Sequence, residues 1–195
     1  MFPDIITEKK SWEESFLQNG KNLNFKVKDF WGRGFSQLVT NNLRGILAEY
    51  IVASDIGITQ TPREEWDAYD LITDDKIKIE IKSASYLQSW QQKKFSSISF
   101  SIRPTYGYDP ETKEPDQELK RQSDIYVFCL LAHKDQATLD PLDLDQWIFY
   151  LAPTELLNKK VGNQKSITLK RLQEIWAQKT SYWKIYPTIK KILEE

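Results

Sequence analysis

The stretch WDAYDLITDDKIKIEIKS, residues 66–83, decides the fold of this chain. Its two halves, 66–73 and 76–83, alternate apolar and polar residues with a period of two, which is typical of β-strands with one buried face. The polar pair Asp74 and Asp75 between them is typical of a tight turn, so the stretch predicts a β-hairpin. From Ile77 onward the isoleucines share one face of the second strand, and the residues between them share the other.

The sequence on both sides of this hairpin predicts a mixed α/β protein. Upstream, apolar residues recur at three- and four-residue steps over 35–56, which predicts a helix that ends at Gly57. Downstream, further strands are predicted at 96–102, 125–132 and 147–151, and the second of these is apolar at every position. A long surface loop is expected over 106–122, where proline, glycine and charged residues are frequent. The outcome is a mixed central sheet of about five strands flanked by helices.

The chain of 195 residues has room for one main core with modest additions on either side. We predict an N-terminal arm with a short helix over 1–34, a core over 35–152, and a C-terminal helical extension over 153–195 that packs on the core. In the extension, Pro153 can open a helix that runs to Lys160, and amphipathic patterns follow at 169–176 and 187–193.

Composition excludes several classes of protein. Cys129 is the only cysteine and His133 the only histidine, so an internal disulfide framework, a cysteine-built zinc site and the HNH and HExxH sites, which need two histidines, are excluded. The longest apolar run, 125–132, is far below the roughly 20 residues that a membrane span requires. No apolar signal segment precedes the charged N-terminal residues, so a cytoplasmic protein is expected. The formal net charge of −1 gives the chain no overall basic field for nucleic acid.

The residues best suited to chemistry are Asp70, Glu80 and Lys82. Glu80 and Lys82 are two positions apart on the predicted second strand, so their side chains project from the same face about 7 Å apart. The turn at Asp74 and Asp75 brings Asp70 across from them. Two carboxylates and the backbone carbonyl of Ile81 are ligands that Mg²⁺ accepts, with Mn²⁺ as a substitute. A lysine beside such an ion can orient or deprotonate a water, or stabilise charge on phosphorus.

The pattern Asp70-x9-Glu80-x-Lys82 resembles the PD-(D/E)xK nuclease superfamily, and the resemblance extends over about 35–132. Members carry a glutamate on a helix before the first motif strand, and Glu49 occupies that place here. The resemblance implies a restriction endonuclease-like fold and a metal site formed by Glu49, Asp70, Glu80 and the carbonyl of Ile81. Tyr69 stands where the motif has proline, a position that varies in the superfamily.

The resemblance also implies a substrate site, because polar residues after the motif lysine often belong to it. We predict Ser83, Tyr86 and Gln88 as substrate-binding residues. Four arginines are candidates for phosphate contacts, although a single arginine is more often a surface residue: Arg44, Arg63, Arg103 and Arg121. Trp90 and other aromatic residues could stack on bases, but core packing is the simpler interpretation.

The sequence therefore predicts a Mg²⁺-dependent endonuclease that hydrolyses DNA, with no membrane partner. A homodimer is expected, because duplex cleavage usually needs two active sites. One alternative keeps the fold without catalysis, as a DNA- or protein-binding accessory module. Another is a hydrolase that acts on RNA or nucleotides. The simplest alternative is that Glu80 and Lys82 only form the solvent face of an amphipathic strand, with Asp70 paired to a lysine.

Overall fold

The computed structural model describes residues 2, 5, 7–63, 68–108 and 115–194 of the chain. The elements of these residues are, in chain order, β1 (Ser15–Gln18), β2 (Lys21–Lys26), α1 (Val27–Phe35), α2 (Asn41–Ile56), β3 (Leu71–Ile72), β4 (Lys78–Ser85), β5 (Ser99–Ser101), β6 (Thr105–Tyr108), β7 (Pro115–Lys120), β8 (Ile125–Leu131), β9 (Trp147–Pro153), α3 (Thr154–Val161), β10 (Ser166–Thr168), α4 (Leu169–Glu174), β11 (Gln178–Thr180) and α5 (Ile185–Glu194).

A five-stranded mixed sheet in the order β11-β9-β8-β4-β3 forms the centre of the described structure. Strands β4 and β8 are parallel, and the other neighbours in the sheet are antiparallel. Every residue of β8 is buried, which explains its continuous apolar sequence. The predicted α/β fold with about five central strands is confirmed.

Each face of the sheet has its own core. On one face, α2 and α5 pack on a cluster that includes Ile79, Ile81 and Cys129. On the other face, Tyr126 and Phe128 join a cluster completed by α3, α4 and the β5–β10 pair. Because neighbouring residues of β4 face opposite sides, Glu80 and Lys82 lie on this second face.

Local signals fix the helix and the hairpin that flank the site. The Thr40 hydroxyl accepts a hydrogen bond from the Leu43 amide at the start of α2, and Gly57 ends the helix with a left-handed φ of 90°. In the β3–β4 turn, the Thr73 hydroxyl accepts a bond from the Ile77 amide, and Lys76 adopts a φ of 67°. The predicted hairpin is confirmed, although residues 64–67 at its start lie outside the described residues.

Several predicted elements were wrong, mainly because short strands find distant partners. The 96–102 alternation is real and buries Phe100, but β5 pairs with β10 outside the central sheet, and β11 takes the fifth place. The C-terminal extension is therefore not purely helical. The 106–122 segment contains the paired strands β6 and β7, with 109–114 outside the described residues.

The N-terminal region also differs from the prediction. A β1–β2 hairpin stands where an irregular arm was predicted, and the predicted short helix follows it as α1. The helix predicted over 35–56 is confirmed as α2 but begins later, at Asn41, and of the predicted range only Phe35 belongs to α1. Among the described residues, no helix has both the length and the apolar character needed to cross a membrane.

Candidate active site

Asp70 lies directly across the hairpin from Glu80. Leu71 is paired with Ile79 in the antiparallel β3–β4 register. Asp70 comes directly before Leu71, and Glu80 comes directly after Ile79, so these two residues face each other. The Asp70 amide donates to the Ile79 carbonyl over 3.1 Å, and the Asp70 carboxylate accepts a 2.6 Å bond from the Ile81 amide. Asp70 therefore has a fixed place at the edge of the sheet, although β3 itself is short.

Lys82 completes a compact group with the two acids. Its ammonium forms an ion pair with the Glu80 carboxylate and lies 4.0 Å from Asp70 Oδ2. The side chains of Asp70, Glu80 and Lys82 are 20%, 19% and 29% exposed, so solvent reaches all three. The structure thus brings these predicted residues together on one face of the sheet, at its accessible edge.

The electrostatics of this group favour a cation. Burial is the main cause that raises the pKa of Glu80, and the charges of Asp70 and Glu49 raise it further, whereas Lys82 lowers it. Tyr126 is paired with Glu80 on β8, and burial together with the Glu80 charge raises its pKa to about 12. One ammonium therefore does not fully offset the negative charge at this position.

Glu49 approaches the site from α2 but has another partner. A cleft of about 480 Å³ is lined by both Glu49 and Asp70, together with Tyr50, Tyr69 and Arg63. The Arg63 guanidinium forms two bonds with the Glu49 carboxylate, and the one between Nη2 and Oε1 is 3.2 Å long. In the part of the chain that the structure describes, no group of three or more His, Cys, Asp or Glu side chains is arranged to hold a metal ion.

The side chains of Ile81 and Ser83 do not lie with those of Glu80 and Lys82. The Ile81 side chain packs in the core below α2, so only its backbone is at the site. Ser83 is paired with the buried Cys129 and alternates with Lys82, which places its side chain on the α2 face. The structure therefore does not bring the Ser83 side chain together with Glu80 and Lys82.

Gln88 and Tyr86 lie in the segment that leaves β4. The side-chain nitrogen Nε2 of Gln88 donates to the Ser85 carbonyl over 2.8 Å and to the Ser96 hydroxyl over 3.1 Å. Tyr86 packs partly against the second core cluster and forms an edge-to-face pair with Phe95. Gln88 thus helps to hold its own segment, and a contact between substrate and either residue stays a prediction.

Two of the four candidate phosphate-binding arginines turn out to be buried. Arg44 is 4% exposed and donates to the Val39 carbonyl and the Asn41 side chain. Arg121 is 7% exposed and donates to the Ile102, Gly162 and Gln164 carbonyls as well as to Asn158. Both guanidinium groups hold backbone segments in place.

Sequence reasoning missed two contributors to the site, Tyr126 and the pairing of Arg63 with Glu49. Tyr126 stands within a continuous apolar run and therefore reads as a core residue. Only the register between β4 and β8 shows that it faces Glu80. Arg63 is 14 residues from Glu49, beyond the reach of a helical or strand period, so no local signal indicates their contact.

A comparison with protein families identifies the family of the chain. Residues 6–171 match the model of the family described as bacteriophage T4 endonuclease IV. The chain belongs to this family. The match includes α2, the β3–β4 hairpin and all the predicted site residues, and it ends within α4. This member of the bacteriophage T4 endonuclease IV family is thus a nuclease by family. A comparison with curated proteins finds no match.

Proposed function

We propose that the chain is a divalent-metal-dependent endonuclease that hydrolyses DNA phosphodiester bonds at Asp70, Glu80 and Lys82. The observation that carries this proposal is the grouping of two carboxylates and one ammonium on the β3–β4 hairpin, where Asp70 also lines a cleft. Family membership supports the nuclease part. The DNA substrate and the dependence on a divalent metal are our proposal.

The donor atoms suit Mg²⁺ or Mn²⁺. Mg²⁺ is usually held by one or two carboxylates, with waters and phosphate oxygens in its other positions. Asp70 and Glu80 supply that number, and the Ile81 carbonyl and Glu49 are the further ligands we propose. Burial is the main cause of the raised pKa of Glu80 and the neighbouring acids raise it further, so a cation at this position would stabilise the charged carboxylate. When bound, such an ion supplies charge stabilisation at the phosphate and activation of water.

The chain's own residues have separate parts in the proposed reaction. Lys82 orients the attacking water or stabilises the negative charge that develops on the phosphate oxygens. Asp70 is kept in position by the Ile81 amide, so its second oxygen can face the cleft. The Glu49 carboxylate is bound by the Arg63 guanidinium, and it would have to exchange that partner in order to hold a metal ion.

The same group supports membership of the PD-(D/E)xK superfamily. Asp70 on one strand, Glu80 and Lys82 on the next and Glu49 on the preceding helix follow the order of that motif. We therefore propose that the restriction endonuclease-like mechanism extends to this member of the family.

One observation favours a second candidate function, a non-catalytic DNA- or protein-binding module. The Glu49 carboxylate is paired with Arg63, and the described residues present no ready group of three acids for a metal. In that case Lys82 would only neutralise Asp70 and Glu80.

Cleavage of DNA with and without a chelator separates the two candidates. Supercoiled plasmid and single-stranded DNA would be incubated with Mg²⁺, Mn²⁺ or EDTA, with RNA in parallel to test the substrate class. We expect metal-dependent DNA cleavage that is lost in Asp70→Ala and Lys82→Ala and retained in Lys184→Ala, an exposed lysine before α5 on the opposite face. Direct linearisation of plasmid, in contrast to nicking, would support the homodimer. Cleavage that persists in EDTA or in Asp70→Ala contradicts the proposal.

A further inference from the structure

The segment 86–96, here called the 86–96 loop, continues the strand that carries Glu80 and Lys82. Ala84 and Tyr86 both pack in the core cluster on the face of those two residues. Tyr86 is four residue steps of extended chain beyond Lys82, which corresponds to about 13 Å along the strand. The loop therefore begins within a few nucleotides' length of the proposed centre and on the same face of the sheet.

Two glutamine side chains give the 86–96 loop a defined shape. The Gln92 side chain accepts a 2.7 Å bond from the backbone amide of Gln88, and it donates to the Tyr86 carbonyl and the Ser96 hydroxyl. The Gln88 side chain bonds to Ser85 and Ser96 at the base of the loop. The Ser96 amide closes the loop with a 3.0 Å bond to the Tyr86 carbonyl. Side chains on its surface are thus presented in fixed positions.

Those surface side chains are aromatic and basic. Trp90 is 55% exposed and Phe95 is 49% exposed, although burial is the usual state of such large rings. Lys93 and Lys94 are exposed between them, and the loop contains no aspartate or glutamate.

Lys134 adds a further positive charge from the end of the neighbouring parallel strand β8. Its ammonium lies 4.4 Å from the centre of the Tyr86 ring and 5.7 Å from that of Phe95. A cation held over aromatic faces is kept in place without neutralisation by an acid. The surface therefore combines three lysines with two exposed rings beside the proposed centre.

We propose that the 86–96 loop and Lys134 form the surface that holds the nucleic-acid strand next to Asp70, Glu80 and Lys82. Lysine side chains neutralise phosphates, and aromatic rings stack on unpaired bases without regard to sequence. In this arrangement Lys93, Lys94 and Lys134 contact phosphates, whereas Trp90 and Phe95 stack on bases. This inference rests on the proposed function, because the position of the surface is defined by its distance from that centre.

Binding of a short fluorescein-labelled oligothymidylate tests the surface by fluorescence anisotropy. An Asp70→Ala background keeps the probe intact. We expect Trp90→Ala to weaken binding about tenfold or more. Lys93→Gln with Lys94→Gln should reduce the slope of log affinity against log salt concentration by about 1.4. Trp183→Ala and Lys184→Gln are matched controls, an exposed Trp–Lys pair before α5 on the opposite face, and should change affinity less than about twofold.

The proposal is overturned if Trp90→Ala binds the oligonucleotide as the background does, if the salt slope is unchanged, or if the control pair loses as much affinity. Circular dichroism checks that each variant is folded. Because the measured quantity is binding, this result is independent of the cleavage assays on Asp70 and Lys82. Failure of the binding surface and failure of the proposed nuclease centre are therefore distinguishable.

Discussion

Replacement of Asp70 by alanine or by asparagine separates the two tasks that we assign to its carboxylate. One oxygen accepts the 2.6 Å hydrogen bond from the Ile81 amide, which is a structural task. The negative charge itself, next to Glu80 and 4.0 Å from the Lys82 ammonium, is the proposed catalytic task. Alanine removes both the acceptor and the charge, whereas asparagine keeps an acceptor and removes only the charge.

The structure gives different stability changes for the two variants. Asp70→Ala leaves the Ile81 amide without its acceptor, at a cost of about 1–3 kcal/mol for a buried donor. The lost contact with Lys82 is long and partly exposed, so it adds little, and the relief of repulsion with Glu80 offsets part of the cost. The net loss is about 1–2 kcal/mol, which lowers the melting temperature by about 2–8 °C in a chain of this size. Asp70→Asn should lose less than about 1 kcal/mol.

Thermal unfolding and DNA cleavage, measured on the same preparations, check both expectations. The two variants should differ in melting temperature yet share a loss of cleavage of at least about 100-fold. Activity in Asp70→Asn close to that of the unchanged protein would show that the charge has no catalytic task. Equal melting temperatures for the two variants would refute the role of the hydrogen bond to Ile81.

Three further predictions follow from the same contacts. Lys82→Ala should lower the cleavage rate by about 10²–10⁴-fold and raise the pKa of Glu80 further, because the opposing ammonium is gone; a pH–rate profile of the residual activity checks both. Glu80→Gln should melt at a higher temperature than the unchanged protein at pH 7. The Glu80 carboxyl holds its proton more tightly in the folded than in the unfolded protein. The free energy of unfolding therefore falls as the pH rises from the ordinary pKa of 4.5 through the raised pKa of the folded state. A lower melting temperature of Glu80→Gln at pH 7 would contradict this reasoning. Arg121→Ala should cost about 2–4 kcal/mol, measured by denaturant unfolding, because several buried acceptors lose a charged donor, while the cleavage rate per folded molecule is unchanged.

The elements that carry strong local signals could be predicted from the sequence. The isoleucine alternation before Lys82 and the polar turn at Asp74 define β4 and its hairpin with β3. The continuous apolar run identifies β8, and Gly57 marks the end of α2. These signals also place Asp70, Glu80 and Lys82 on one face, because a hairpin register follows from its turn.

The elements that depend on distant partners could not be predicted. Strands β10 and β11 have three residues each, which is too short to display a period, and they exist because β5 and β9 provide an edge for them. The β1–β2 hairpin turns through Asn19 and Gly20, yet the exposed aromatic residues around it obscure any alternation.

The candidate site was predictable where it depends on strand geometry and not where it depends on side chains of remote segments. The pairing of Arg63 with Glu49 joins a loop to a helix, and the burial of Arg44 and Arg121 depends on carbonyls from other elements. A charged residue carries no local mark that separates a buried donor from a surface contact with phosphate. Structure was therefore needed to assign the arginines.

The location of a bound divalent ion would decide whether Asp70 and Glu80 form a metal site. A crystal of the protein soaked in Mn²⁺ would be measured at a wavelength where manganese scatters anomalously. We expect a peak in the anomalous map within about 2–2.5 Å of carboxylate oxygens from both Asp70 and Glu80. A peak bound elsewhere, with none between these two residues, would contradict it.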